Sequence, residues 1–283
     1  MKLCAVVIWY NPDQLAVENI LRYCKLCTQV YIVDNSDGDN SSLAKNIPNG
    51  KYFANLQNKG IAAALNDGCS FALADGFQWC MTMDQDSSWD EAVLTQFFSE
   101  IEKQQGGKQV SFAPTHTNEI KSLVGEVKYA VQGTCNTEVN FPDKVMTSGN
   151  VIDLAVWKAV GKFNEDLFID EVDHEFCYRL WEHGYKICEF PQIFMKHTLG
   201  HVKRTFLPRP CKHSGVRLYY IFRNMLYVKT NFPKFYNRNG YGKYMVISYL
   251  QKILEGKWSD ISFIHQGIKD AKRGRFGRYQ LKV

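Results

Sequence analysis

At 283 residues, with 45% hydrophobic and 22% charged side chains, the chain can bury one large core or two modest ones, and a globular rather than a disordered protein is expected. No stretch reaches the roughly 18 apolar residues of a membrane-crossing helix, and the apolar start at 3–10 runs into Asn11-Pro12 rather than a cleavage site. A cytoplasmic protein without a signal peptide is therefore expected. The net charge of +5 conceals a split: residues 202–283 carry 18 Lys/Arg against 3 Asp/Glu, whereas the first 201 carry 16 against 26. Such an end could face nucleic acid or anionic lipid, or simply be a solvated basic face. Nine scattered cysteines, an odd number, read as small buried hydrophobes of a reducing compartment, and Cys24-Lys-Leu-Cys27 as two helix positions.

In chain order, the first hundred residues alternate apolar strands with helical stretches, the pattern of a mostly parallel sheet covered by helices. A buried strand over 3–9 is followed by a helix opened by Asn11-Pro12-Asp13 and running to about 26. Strands over 30–33 and 52–55, a helix over 60–74 and a strand over 78–83 complete this half. Asp90 suits an N-cap for a helix to about 104, ended by Gly106-Gly107. Residues 109–150 look irregular, with short strands at 110–113 and 124–131. Helices over 153–160 and 170–183 precede strands at 186–190 and 193–196. Three helical stretches close the chain, at about 213–230, 233–255 and 259–272.

Asp84-Gln-Asp86, directly after the apolar run 79–83, carries the most chemistry. Two carboxylates one residue apart at the end of a strand offer hard oxygen ligands to Mg²⁺ or Mn²⁺, which keep waters and bridge to phosphates. Asp34-Asn35-Ser36 lies at the same carboxyl edge, where ligands of open α/β sheets bind; its acceptors could meet a base or a ribose, or form an ordinary turn. Tyr10, beside Asn11, could stack on a base or fill core. Asn58-Lys59-Gly60-Ile-Ala-Ala-Ala-Leu-Asn66 opens a helix with small residues that allow close approach, and Lys59 near its first amides could meet phosphate. The spacings of a P-loop and of Gly-x-Gly-x-x-Gly are both absent.

Together with Thr147-Ser148-Gly149-Asn150 and Phe168-Ile-Asp170-Glu-Val-Asp173-His-Glu175, these motifs resemble family 2 of the inverting, nucleotide-sugar-dependent glycosyltransferases. The resemblance spans about residues 3–200, and Met-Asp84-Gln-Asp86-Ser looks most like the rhamnosyltransferases of surface-polysaccharide assembly. It implies an α/β GT-A fold over 1–202, followed by a basic helical region over 203–283. It also implies a nucleotide-sugar donor held by Tyr10, Asn11, Asp34, Asn58, Lys59, Gly60, Asn66 and Asp84. The metal, Mg²⁺ or Mn²⁺, would fall to Asp86 and Asp84, with His197 matching a histidine that completes the site in some relatives. Asp173 aligns with the base of the family's Glu-Asp motif, although Val172 replaces its first acid, which leaves Asp170 as second candidate. Ser148, Gly149, Asn150, Glu175 and Arg223 are expected on the acceptor side, Arg223 through a diphosphate.

On a helix, Asp170 and Asp173 would share a face and raise one another's pKa, while Glu171, Glu175 and Arg179 fit a solvated, salt-bridged stripe. Ile261, Phe263, Ile264 and Ile268 beside Lys269, Lys272 and Arg273 give the last helix an apolar face with a basic flank. That face could rest on the inner surface of the cell membrane, or pack as a terminal helix. The expected reaction is transfer of a sugar, L-rhamnose from dTDP-β-L-rhamnose, to a growing saccharide or polyprenyl-diphosphate-linked glycan. A galactofuranosyl or hexosyl transfer from a UDP-sugar, and a non-catalytic binder of glycan or partner, are the alternatives. No nucleic-acid reader motif is present.

Overall fold

The structure is a computed structural model and describes residues 2–121, 127–130, 138–197, 213 and 215–280. Its spine is β1 (Leu3–Trp9), all seven residues of which are buried. Because successive side chains point to opposite faces, Leu3, Ala5, Val7 and Trp9 enter one core with Val17 and Ile20 of α1 (Gln14–Leu21). Cys4, Val6 and Ile8 enter a second core on the other face. A strand apolar on both faces belongs inside a helix-covered parallel sheet. Asp13 caps α1 through the amide of Ala16, and α1 ends at Leu21 rather than near 26, because buried Tyr23 leaves helical geometry before a separate turn at Cys24–Leu26.

β2 (Gln29–Asp34) is followed by α2 (Ser41–Ala44), β3 (Gly50–Ala54), α3 (Ile61–Ala74) and β4 (Trp79–Asp84). β3, β2, β1 and β4 lie in that order and are all parallel, so the carboxyl ends of β1, β2 and β4 share one edge. β5 (Ser87–Ser88) leads to α4 (Glu91–Gln104), where Asp90 accepts hydrogen bonds from the amides of Ala92 and Val93, the cap the sequence predicts. The stretch expected to be irregular holds β6 (Gln109–Lys121), β7 (Val127–Ala130) and β8 (Asn150–Asp153). β8 runs antiparallel between β4 and β6. α5 (Leu154–Ala159), α6 (Val172–Glu182) and β9 (Lys186–His197) follow. β9 is continuous where two strands were expected: its register beside β6 jumps from Phe190 to Phe194, letting the ladder pass Pro191, which has no amide hydrogen to give.

The C-terminal region forms α7 (Val216–Asn231), α8 (Pro233–Arg238), α9 (Tyr241–Leu254) and α10 (Trp258–Lys272). Gly240, at φ 67°, breaks the expected 233–255 helix in two. Ile261 and Ile264 of α10 are buried, Ile264 with Leu218, Ile221 and Phe222 of α7, and Phe263 packs against Tyr219 and Tyr220, so the face expected to meet a membrane is covered by protein. No helix among the described residues is long and apolar enough to cross a membrane. The seven described cysteines are free and buried.

Candidate active site

A cavity of about 1110 Å³ opens at the carboxyl edge of the parallel strands, between the ends of β1 and β4, the start of α6 and the first turn of α7. Tyr10, Asn35, Asn58, Gly60, Asp84 and Asp86 line it from the sheet side, and Asp170, Asp173, His174 and Arg217 face them. Tyr10 is exposed on this wall rather than in the core, and Gln85 pins it by bonding its amide at 2.8 Å and its carbonyl at 3.1 Å. Asn11 follows at the surface, with φ 47° and its amide bonded to Ser36 Oγ.

Asp84 is fixed by Ser148. The serine hydroxyl donates to Asp84 Oδ2 at 2.8 Å and accepts from the Asp84 amide at 2.9 Å. Ser148 sits in a turn that needs Gly149 at φ 79°, since a Cβ there would meet Met195 Sδ and Pro114 Cγ at 2.9 Å. Asn150 is buried and accepts from Ser111 Oγ. Ser148 therefore supports the carboxylate from behind, Gly149 and Asn150 shape the turn that holds it, and it is Met146 and Thr147 that reach the cavity, a correction to the expected acceptor contacts.

Asp86 projects exposed beside Asp84. His197 ends β9 with its backbone paired to Ser87, one residue from Asp86; its side chain lies outside the described residues. Among the described residues no group of three or more His, Cys, Asp or Glu could hold a metal by itself. Two carboxylates facing one cavity do match the donor chemistry of a hard cation that completes its shell with water and phosphate oxygens.

Asp34 takes another role than expected. It is fully buried, and its two oxygens accept four hydrogen bonds, from Ser36 N and Oγ, Asn40 Nδ2 and Tyr52 OH. Its carboxylate shapes the loop after β2, and Asn35 is the residue that reaches the cavity. Asn58 Oδ1 accepts from Asn35 Nδ2 and from the Gly60 amide. Gly60, at φ 90°, lies so close to Phe168 that a Cβ would meet its carbonyl oxygen at 2.7 Å. Lys59 extends to Asp67 at 3.5 Å, and buried Asn66 ties α3 to Phe163 and Glu165, so neither lines the cavity.

The expected helix over 170–183 begins two residues late, because Phe168, Asp170 and Glu171 all hold left-handed backbone, at φ 63°, 61° and 63°. Such conformations cost about 1–3 kcal/mol each and persist only where the surroundings impose them. Here Arg223 and Asn224, both fully buried in α7, impose them. Arg223 donates to the carbonyls of Asp166, Leu167 and Gly277, and Asn224 Nδ2 reaches those of Leu167, Ile169 and Asp170. Arg223 is thus committed to the backbone and does not line the cavity, contrary to its expected diphosphate contact.

Asp170 and Asp173 consequently do not share a helix face. Asp170 pairs with Arg217 at 3.0 Å, and burial, only partly offset by that guanidinium, pushes its carboxyl up from the usual range. Asp173 lies in the first turn of α6, where Oδ2 accepts from the Thr147 amide and hydroxyl at 3.1 and 3.2 Å and Oδ1 from the His174 amide. Glu171 and Glu175 are buried rather than solvated. Glu175 pairs with Arg179 at 2.8 Å away from the cavity, which removes it from the acceptor side.

Glu171 accepts from Tyr241 OH of α9 at 2.6 Å and lies 3.2 Å from His174 Nδ1, while Lys144 Nζ donates to the same Tyr241 oxygen. Burial pulls His174 down, but the Asp173 and Glu171 carboxylates outweigh it and hold its pKa above the ordinary value. His174, Arg217, Tyr241 and Lys144 were missed by the sequence reading. His174 stood within the Asp173-His-Glu175 motif, whereas no local signal announces the other three.

Asp84 at the end of β4, Asp86 just after it, Asp173 at the head of α6 and the cavity between them stand on a mixed α/β sheet of the GT-A fold. Residues 6–118 match the family model described as Glycosyl transferase family 2. Over 233 residues, 78% of this chain and 77% of the relative, the sequence is 28% identical to the dTDP-rhamnosyl transferase RfbF of Shigella flexneri. Among solved structures, GalNAc-T7 with UDP, GalNAc and Mn²⁺ superposes with a TM-score of 0.60 at 15% identity, over 96% of this chain and 55% of its own. Residues 1–349 of S. aureus TarS with UDP-GlcNAc give 0.56 at 14% identity, over 100% and 95%. At such identities the structural likeness establishes the fold.

Proposed function

We propose that the protein transfers L-rhamnose from dTDP-β-L-rhamnose to a hydroxyl of a growing, polyprenyl-diphosphate-linked glycan, with inversion at the anomeric carbon. The observation that carries the transferase reading is the meeting of Asp84, Asp86 and Asp173 in one cavity at the carboxyl edge of the parallel strands. The donor assignment is supported by the similarity to RfbF. A UDP-sugar is the second reading, favoured by the UDP and UDP-GlcNAc of the solved neighbours.

In this reading Tyr10, Asn35 and Asn58 receive the nucleoside, and Asp84 and Asp86 hold Mg²⁺ or Mn²⁺. A divalent cation bound there supplies positive charge opposite the departing diphosphate. Ser148 keeps the Asp84 carboxylate oriented, so no reorganisation is needed when the donor arrives. Asp173 takes the proton from the acceptor hydroxyl; Thr147 anchors one of its oxygens and thereby fixes the direction of the base. Asp170 stands as the second candidate for that role. The test is binding and turnover of dTDP-rhamnose and of UDP-, GDP- and other dTDP-sugars, with Mg²⁺, Mn²⁺ or EDTA. Metal-dependent turnover of dTDP-rhamnose alone is expected, preference for a UDP-sugar would replace the donor, and no turnover of any donor would reject the reading.

A further inference from the structure

α10 shows the solvent little of its apolar face, but α9 does the opposite. Val246, Ile247, Leu250 (52% exposed) and Leu254 (77%) stand out from α9, and Trp258 (69%) is exposed at the start of α10. Lys243, Ile247, Leu250 and Leu254 are spaced i, i+4, i+7 and i+11, which places them along one side of the helix. Tyr241, Ser248, Gln251 and Lys252, on the other side, are buried. The exposed row is therefore a coherent stripe about three turns long, not scattered surface apolar residues.

The charge of residues 241–280 selects the occupant. Among described residues 241–280 the exposed acid is Glu255, against exposed Lys243, Lys257, Lys269, Lys272, Arg273, Arg275 and Arg278. Asp260 and Asp270 are buried, Asp260 beside Lys252 at 3.3 Å and Asp270 accepting from Tyr219 and Gln266. A second copy docking on this stripe would bring two cationic rims together, whereas an anionic lipid surface answers both the apolar row and the cations. The exposed Trp258, four residues beyond the last leucine of α9, suits the headgroup level, where an indole is half wetted. Tyr244, on the same helix, lines the active-site cavity, so a bilayer touching α9 would lie beside the cavity mouth.

We infer that the outward side of α9, from Lys243 to Trp258, docks the protein onto an anionic bilayer and brings the cavity to lipid-borne acceptors. The part concerning acceptors rests on the transferase reading above, and the docking surface does not.

The experiment is flotation of the full chain with phosphatidylcholine vesicles, with and without phosphatidylglycerol, at low and high salt. It compares wild type with Leu250→Glu/Leu254→Glu, Lys243→Glu/Lys257→Glu and the control Leu15→Glu. Wild type and control are expected to float with the anionic vesicles only, and the leucine pair to lose at least about tenfold in binding, the change produced by 1.4 kcal/mol. The lysine pair is expected to weaken binding mostly at low salt. Failure of wild type to float, equal binding by the leucine variant, or a dimer that the leucine variant dissociates without any vesicle binding would overturn the inference. Donor binding measured without lipid reports separately on the transferase reading, because none of these residues lines the cavity.

Discussion

Asn224 Nδ2, buried in α7, lies 2.8 Å from the carbonyl oxygen of Asp170 and joins the C-terminal helices to the loop that delivers Asp173. With Arg223 beside it, this amide holds three residues in left-handed backbone that no local preference of the sequence would choose. Arg223→Lys cannot reproduce the fork of contacts to three carbonyls and leaves buried acceptors unsatisfied. A loss of about 2–4 kcal/mol in unfolding free energy is expected by denaturant titration. A protein of unchanged stability with a raised KM for the donor would return Arg223 to a diphosphate contact.

Asp173→Asn should fold normally, since the amide oxygen can still accept from Thr147, and should still bind donor. Turnover should fall about 10²–10⁴-fold, the usual contribution of a positioned base. Asp170→Asn, which keeps the shape but loses the ion pair with Arg217, is expected to cost less. The opposite ranking in steady-state kinetics would move the base to Asp170.

Asp86→Ala should raise the Mn²⁺ or Mg²⁺ concentration needed for half-maximal activity while leaving the melting temperature unchanged, because the residue is exposed. EDTA should silence wild type reversibly. A metal response identical in wild type and variant would show that the cation, if used, is held elsewhere.

The Glu171–His174 pair predicts a pH profile of stability. His174 is held above its ordinary value of 6.5, so its contribution is complete below about that pH and declines as pH rises through its elevated folded value. Burial pushes Glu171 up, but His174, Lys144 and Tyr241 overcome it and hold it below its ordinary 4.5; its contribution is lost only as pH falls through that lowered value. The pair thus stabilises most between about 4.5 and 6.5. Wild type should lose stability from pH 6 to 9 relative to His174→Gln, and parallel curves would show that the histidine is not coupled to folding.

Sequence alone located what depends on neighbours in the chain. Alternation over 3–9, the Asp90 cap and the two carboxylates at the end of β4 are local facts, and the structure keeps them. Residue types whose meaning depends on distant packing were misread. Arg217 and Arg223 lie six positions apart on one helix, yet one faces the cavity and the other the loop over 166–170. Glu175 looked solvated because nothing nearby reveals that Arg179, held by the carbonyls of Val160 and Lys162, covers it. The apolar residues of α10 and α9 look alike in sequence, and only the position of α7 decides which set is covered.

The 2.6 Å contact between Tyr241 and Glu171 bears on modular exchange. The last eighty residues look like a detachable cassette, ready to be traded among transferases that share a catalytic sheet. Yet a phenol from that cassette completes the shell of the helix that carries Asp173, and a guanidinium from it pairs with Asp170 on the same wall of the cavity. A hybrid assembled at the apparent seam would have to import matching partners at 166–171 and 144, so new acceptor preferences in this lineage should arise by paired changes across the seam rather than by wholesale swaps.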